Sequence, residues 1–144
     1  MKYRRPAPRP CESCPYRKDV PSGVWAPEEY EKLREYDRPT GEQPPTVFLC
    51  HQQDRDSASR ICGGWAGCHD GDELLALRVA TMTGRMTPEE AYAVTDYVSP
   101  VPLFSSGKEA ADHGMAEVEQ PSDQAGSVIE KIARVRRDIR WRDI

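Results

Sequence analysis

Residues 11–16 read Cys-Glu-Ser-Cys-Pro-Tyr and place a Cys-x-x-Cys pair directly after a basic, Pro-rich N-terminus. Cys50, Cys62 and Cys68 follow, so all five cysteines lie in the first half of the 144-residue chain. A two-residue spacer lets both thiolates of the pair point at one ion or cluster, and other ligands can arrive from distant loops. The cysteine pattern therefore predicts a metal centre, although it specifies no reaction.

The simplest ligand set consists of four cysteines, Cys11, Cys14, Cys50 and Cys62. Three other side chains are spare candidates, namely His51, Cys68 and His69. Cys50 and Cys68 also fit an ordinary role as small buried apolar residues. Zinc and a [4Fe-4S] cluster stay equally open. Pro15 lacks a backbone N–H that could stabilise thiolate charge in a zinc knuckle, but the chain also lacks the dense cysteine run of bacterial ferredoxins.

Size and composition indicate one small domain. A chain of this length falls in the single-domain range, but its hydrophobic share of 38% is low for a compact globule, so a metal would supply part of the stability. The chain contains no apolar run of about 18 residues and no signal-peptide pattern, so we expect a soluble, cytoplasmic protein. In a reducing cytosol, an odd number of clustered cysteines fits metal ligation better than disulfides.

The charge distribution suggests three regions along the chain. We expect a basic, Pro-rich arm over residues 1–10, a Cys-rich metal-binding domain over 11–119 and an amphipathic basic helix within 120–144. Residues 1–18 carry six basic side chains against one acidic, and residues 123–144 carry six against four. Since the formal net charge is −4, the segment between them carries −11. The arm and the C-terminal helix could contact nucleic acid or an acidic protein surface, whereas the alternative is a solvated, mobile tail.

Local signals predict the first elements of the fold. A helix should begin at Pro27, with Tyr30 and Leu33 on its buried face. The β-branched and aromatic run at residues 46–49 predicts a short strand that ends at Cys50 and His51. Three aromatic residues could wall the metal centre off from water, although each fits a plain core position: Tyr16, Trp25 and Trp65.

Further helices follow in the second half of the chain. One should begin near Asp70 or Asp72, and another at Thr87, where Thr87-Pro88-Glu89-Glu90 has the residues of a capping box. A short helix is predicted over Ser106–His113, closed by Gly114. The last helix has an apolar face with helical spacing, formed by Ala125, Val128, Ile129, Ile132, Val135 and Ile139.

Four stretches of the sequence resemble one family. They are Cys11-Glu-Ser-Cys14-Pro15-Tyr16-Arg17-Lys-Asp19-Val-Pro21-Ser-Gly23-Val-Trp25, Glu29-Tyr30, Phe48-Leu-Cys50-His51-Gln52 and Cys62-Gly-Gly-Trp65. In this order they are similar to an actinobacterial and actinophage family of uncharacterised proteins, domain of unknown function number 6283, over about residues 10–115. The resemblance implies a shared Cys/His site at Cys11, Cys14, Cys50, His51 and Cys62, but it implies no activity.

The sequence thus predicts an α+β fold, mainly helical with little strand, organised around a Cys-rich metal site. Three function classes remain. The first is a metal-stabilised binding or regulatory module, which the scarcity of catalytic motifs favours. The second is an iron-sulfur redox or sensor protein. The third is a metal-dependent enzyme that uses His51 or His69 with Asp54 or Asp70, for which the chain offers no phosphate loop or catalytic triad.

Overall fold

The secondary structure consists mainly of short helices. The computed structural model describes residues 2–50 and 59–135. These residues form six α-helices: α1 (Pro27–Glu35), α2 (Gly63–Cys68), α3 (Leu75–Met82), α4 (Pro88–Thr95), α5 (Gly107–Met115) and α6 (Asp123–Val135). Two 3-10 turns lie at Thr40–Glu42 and Gly71–Glu73. In the described ranges, extended pairing is limited to isolated bridges, so the prediction of a mainly helical fold with little strand is confirmed.

The core is built from aromatic residues packed around the cysteine loop. Tyr16 and Trp65 are fully buried, and Trp25 is 3% exposed. Tyr36 packs edge-on against Trp65, with ring centroids 5.4 Å apart. Since Cys14 and Cys62 belong to the same buried cluster, these two candidate ligands lie in the core rather than on the surface. In the described residues, no helix has the length and apolar character needed to cross a bilayer.

Helix α1 forms where the sequence predicts it and fixes the loop that follows the Cys-x-x-Cys pair. It begins at Pro27, and Tyr30 and Leu33 are buried. The Tyr30 hydroxyl accepts hydrogen bonds from the backbone N–H groups of Val24 and Trp25 at 3.1 and 3.0 Å. This one side chain therefore joins α1 to the turn ahead of it.

Helix α5 packs along α1 through a glycine. The prediction that Gly114 ends this helix is wrong, because α5 continues to Met115. A Cβ atom at Gly114 would collide with the Tyr30 ring, whose Cζ would lie 2.6 Å away. Gly114 is therefore required for close helix packing, a demand that the sequence does not distinguish from a helix stop.

We expect Gly114→Ala to destabilise the fold by about 1–3 kcal/mol, the usual cost of overpacking a filled contact. The matched control is Gly126→Ala in α6, where a Cβ meets nothing within 4 Å and alanine should stabilise the helix slightly. Thermal and urea unfolding of the two variants measures the difference. Equal stabilities would contradict the packing contact.

Extended segments bring Cys50 and Cys62 together. Leu49 and Ile61 form an antiparallel bridge, with Cys50 N–H donating to the Arg60 carbonyl and Cys62 N–H donating to the Phe48 carbonyl, both at 2.9 Å. The strand predicted over residues 46–49 is thus reduced to one bridge at Leu49. The residues before it, Pro44 and Pro45, cannot donate backbone hydrogen bonds and so limit the pairing.

The N-terminal arm packs on the body of the domain. A mobile tail, which the sequence left open, would instead extend away from it. Tyr3 is 7% exposed, and its backbone N–H donates to the Arg85 carbonyl at 3.1 Å. Arg4 forms a parallel bridge with Arg60. The Pro and Arg content of the arm suggested mobility, but the buried Tyr3 ring and these backbone bonds anchor it. The boundaries proposed for the three regions stay predictions.

The later helices show where local signals suffice. The capping box at Thr87 and Glu90 is confirmed, with bonds of 2.9 and 3.1 Å. Helix α3 begins at Leu75, later than predicted, because Asp70 instead caps a 3-10 turn by accepting from Asp72 N–H at 3.0 Å. Helix α6 buries Ala125, Ile129 and Ile132 as predicted; Ile139 lies outside the described residues.

Candidate metal centre

Two cysteines from distant parts of the chain meet in the core. The Sγ atoms of Cys14 and Cys62 are 3.7 Å apart, although 48 residues separate them in sequence. Cys14 is fully buried and Cys62 is 2% exposed. Both thiols are free, since a disulfide would bring the sulfurs to about 2 Å.

Cys11 and Cys50 continue the same group of thiols. The thiol of Cys11 lies within hydrogen-bonding reach of both Cys14 and Cys50. The interaction with Cys14, together with burial, raises the pKa of Cys11 to about 12. The interaction with Cys50 acts in the opposite direction. The effects on the pKa of Cys11 link it to Cys14 and Cys50, and the 3.7 Å distance links Cys14 to Cys62, so these interactions connect the four thiols of the predicted ligand set.

Backbone N–H groups point at two of the sulfurs. Burial raises the pKa of Cys14 well above its usual range, while the N–H of Tyr16 opposes this by bonding to the thiolate. The N–H of Trp65 donates to Cys62 Sγ at 3.4 Å. The donor missing at Pro15 is therefore supplied one residue later, by Tyr16, which answers the objection to zinc that the sequence raised.

Helix α2 lies against the cysteine loop through Gly64. A Cβ atom at this position would collide with Cys14 Sγ and would stand 2.8 Å from Tyr16 Cβ. The neighbouring Gly63 contacts Tyr97, whose hydroxyl would lie 2.8 Å from an added Cβ. Gly64 thus allows the start of α2 to approach Cys14 and Tyr16 closely, and Gly63 allows it to approach Tyr97.

Ser13 is a buried polar residue inside the Cys-x-x-Cys loop. It has no exposed surface, and its hydroxyl lacks a well-formed hydrogen bond in the described residues. The hydroxyl nevertheless lies close enough to Cys11 to oppose the rise in the pKa of that thiol by donating to the thiolate. The Ser13 carbonyl accepts from Trp25 Nε1 at 2.9 Å, which fixes the loop. An unpartnered donor beside a cysteine fits a site in which that cysteine is ionised.

Arg17 places a positive charge beside the same loop. The residue is 7% exposed, and its Nη1 donates to the carbonyls of Pro10 and Cys11 at 3.1 and 3.3 Å. Its Nε and Nη2 donate to the Asp19 carboxylate at 2.8 and 2.6 Å. The bond with Asp19 is the main cause of its raised pKa, to which nearby Cys14 and Cys11 add. A fixed cation here favours thiolate over thiol.

The spare candidates Cys68 and His69 lie at the other end of Tyr16. His69 Nε2 is 3.4 Å from the Tyr16 hydroxyl, and His69 Nδ1 is 3.9 Å from Asp37 Oδ1. Burial lowers the pKa of His69, with Asp37 opposing. Burial, followed by Asp37 and Glu109, raises the pKa of Cys68 to about 12. The Tyr16 ring therefore separates these two residues from the four connected thiols.

Asp37, which lies beside His69, and Asp70, which belongs to the enzyme hypothesis, both have structural contacts. The Asp37 carboxylate accepts from the backbone N–H groups of Gly107 and Lys108 at 2.8 and 2.7 Å, at the start of α5. Asp70 caps a 3-10 turn. His51 and Asp54 lie outside the described residues, so their proposed roles as ligand and carboxylate stay predictions.

Metal ligation itself stays a prediction. Within residues 2–50 and 59–135, no group of three or more His, Cys, Asp or Glu side chains stands in an arrangement that satisfies metal coordination. The sequence identified the four connected thiols but missed Ser13 and Arg17 as their neighbours. No local pattern marks Ser13, because its importance depends on burial, whereas a cation three residues after Cys14 was a visible signal for Arg17.

Comparison with known proteins extends the resemblance seen in the sequence. The model of a family of unknown function, DUF6283, matches residues 6–136, which is longer than the segment 10–115 and includes all of α6 and residues 6–10 of the arm. No curated protein and no solved structure matches the chain.

Proposed function

The chain belongs to the family of unknown function DUF6283, and we propose that it is a metal-stabilised binding module. Its ligands are four cysteines, Cys11, Cys14, Cys50 and Cys62. The observation that carries the proposal is the 3.7 Å distance between the Sγ atoms of Cys14 and Cys62; Cys14 and Cys50 also both affect the pKa of Cys11.

This distance favours a single tetrahedral ion. Zinc bound to sulfur at about 2.3 Å with tetrahedral angles places any two ligand sulfurs about 3.8 Å apart. In a [4Fe-4S] cluster each thiolate binds a different iron, so the ligand sulfurs stand farther apart. The spacing of Cys14 and Cys62 therefore supports zinc over the cluster, which the sequence alone left equally open.

Several groups around the thiols oppose the rise in pKa that burial and the neighbouring thiols cause at Cys11 and Cys14. Ser13 and the backbone N–H groups of Tyr16 and Trp65 are donors, and Arg17 contributes a buried positive charge. Neutral thiols are weak acceptors and gain little from such neighbours, whereas metal-bound thiolates need them. These outer contacts are a second, independent support for a resident metal ion.

The proposed role of the ion is structural. Four protein ligands complete a tetrahedral zinc site and leave no open position for a substrate. Cys14 and Cys62 are inaccessible to solvent, which also disfavours direct chemistry at the metal. The ion would join the N-terminal loop to the bridged segments at Leu49 and Ile61, and so hold the arm and α2 in place.

Metal analysis tests this proposal. We expect protein purified without oxygen to be colourless and to contain one zinc ion per chain. Replacement by Co²⁺ should give the visible absorption of a tetrahedral tetrathiolate site. A brown protein that contains iron and sulfide would show that the site holds an iron-sulfur cluster instead of zinc, and would support the sensor alternative. Protein that is folded but free of any metal would overturn the proposal.

A further inference from the structure

Five basic residues from three parts of the chain lie together beside the anchored arm. We call them the arginine surface: Lys2, Arg4, Arg5, Arg60 and Arg85. Arg4 and Arg60 are bridge partners, Arg60 Nη1 donates to the Arg5 carbonyl at 3.0 Å, and Arg85 Nη1 donates to the Tyr3 hydroxyl at 2.9 Å. The arm thus adds its own cations to those of two other segments.

The charges of this surface are not compensated within the part of the chain that the structure describes. Lys2, Arg4, Arg5 and Arg85 are exposed, and Arg60 is half-buried. The hydrogen bonds of Arg60 and Arg85 go to neutral oxygens, and no described carboxylate forms an ion pair with any of the five. By contrast, Lys32 is paired with Glu29 and Lys108 is paired with Asp112.

One carboxylate lies at the border of the arginine surface. Bonding to Thr87 chiefly lowers the pKa of Glu90, and the charges of Lys2 and Arg5 add to the effect. Because Glu90 is engaged in the cap of α4, it does not neutralise the surface. Within the described residues, no carboxylate is thus free to neutralise these cations, and an external anion could bind them.

We propose that the arginine surface docks the phosphate backbone of nucleic acid. Extended backbone from Lys2 to Arg5 covers about 10 Å at roughly 3.3 Å per residue. One strand of a duplex carries a phosphate about every 3.4 Å of its axis, so about three phosphates face this length. Acidic peptides rarely reach that charge density, and the planar guanidinium groups suit bidentate contact with phosphate oxygens.

Contacts of this kind read charge and spacing rather than base sequence. The segment between residues 18 and 123 has a formal charge of −11 even with Arg60 and Arg85 included, so its other residues repel a polyanion. That repulsion should orient the nucleic acid onto the arginine surface and keep the affinity moderate and strongly dependent on salt.

Fluorescence anisotropy with a labelled 20-base-pair DNA duplex tests the proposal. The full-length protein should bind, and the affinity should fall with salt with a log–log slope of about −4, as expected when four or five phosphates are neutralised. The variant Arg4→Gln/Arg60→Gln should bind at least about tenfold more weakly at low salt, with a slope shallower by about two. Because Arg60 donates a hydrogen bond to the arm, its substitution could also loosen the arm. The variant Lys2→Gln/Arg5→Gln avoids this change, and thermal unfolding checks that both variants remain folded.

The matched control is Lys32→Gln/Lys108→Gln, which changes the net charge equally but removes paired cations. It should retain nearly all of the affinity. Equal weakening by the control and the surface variants would overturn the proposal, as would the absence of duplex binding at low salt. Stronger binding to poly-glutamate, or to phosphatidylserine vesicles, than to the duplex would assign the surface to another class of partner and would equally overturn it.

Discussion

Replacing Cys14 or Cys62 by serine should abolish metal binding and unfold the segments around the candidate metal centre, whereas Cys68→Ser should do neither. All three substitutions exchange a sulfur for a similar but poorly ligating oxygen. Cys14 and Cys62 are fully or almost fully buried and 3.7 Å apart at their Sγ atoms, while Cys68 lies near Asp37 and Glu109. The comparison therefore isolates ligation from the general effect of losing a thiol.

The effect should be large because the proposed ion would contribute to the folding free energy. Structural zinc contributes about 10–16 kcal/mol of apparent binding energy in small peptides, while a whole domain is stable by only about 5–15 kcal/mol. The loss of even part of the zinc binding energy can therefore exceed the free energy of unfolding of the whole domain. Metal content per chain, far-UV circular dichroism and Tm measure the outcome.

A second control separates metal loss from a packing defect at the substituted site. Wild-type protein treated with a chelator in mild denaturant should melt like Cys14→Ser, because both lack the ion. If Cys14→Ser instead retains one metal per chain and the Tm of Cys68→Ser, the four connected thiols are an ordinary part of the core. The proposal of a structural metal would then be wrong.

The sequence marks the candidate cysteines, but it does not show how they approach one another. The two-residue spacing of Cys11 and Cys14 is a local signal. Cys50 and Cys62 instead meet this pair through the bridge between Leu49 and Ile61. A bridge of one residue pair has no period, so no pattern of apolar residues reveals it.

Helix starts were predicted better than helix ends and packing. The starts at Pro27 and Thr87 depend on proline and capping residues that act within one turn, and both are confirmed. Gly114 was misread because its role depends on the Tyr30 ring of another helix. The anchoring of Tyr3 to Arg85 was missed for the same reason, since a composition of prolines and arginines does not show tertiary contacts.

The second large effect is expected for Gly64→Ala, which should lower metal affinity by about tenfold or more, as changes just outside a ligand shell commonly do. An added Cβ would collide with Cys14 Sγ, the atom that has to point at the ion, and would crowd Tyr16 Cβ at 2.8 Å. Gly41→Ala is the matched control, because a Cβ there meets nothing within 4 Å. Competition with a chromophoric zinc chelator measures both affinities.

The metal should also determine how much stability Gly64→Ala costs. Without an ion, the Cys14 side chain can rotate away from the new methyl group, so that only the contact with Tyr16 remains. With an ion, the sulfur is held in place and the collision cannot be relieved. The loss of unfolding free energy relative to wild type should therefore be larger in zinc than in chelator, and Gly41→Ala should show no such dependence. An equal loss in both conditions would mean that Gly64 serves the packing of α2 alone and that Cys14 is not held by a metal.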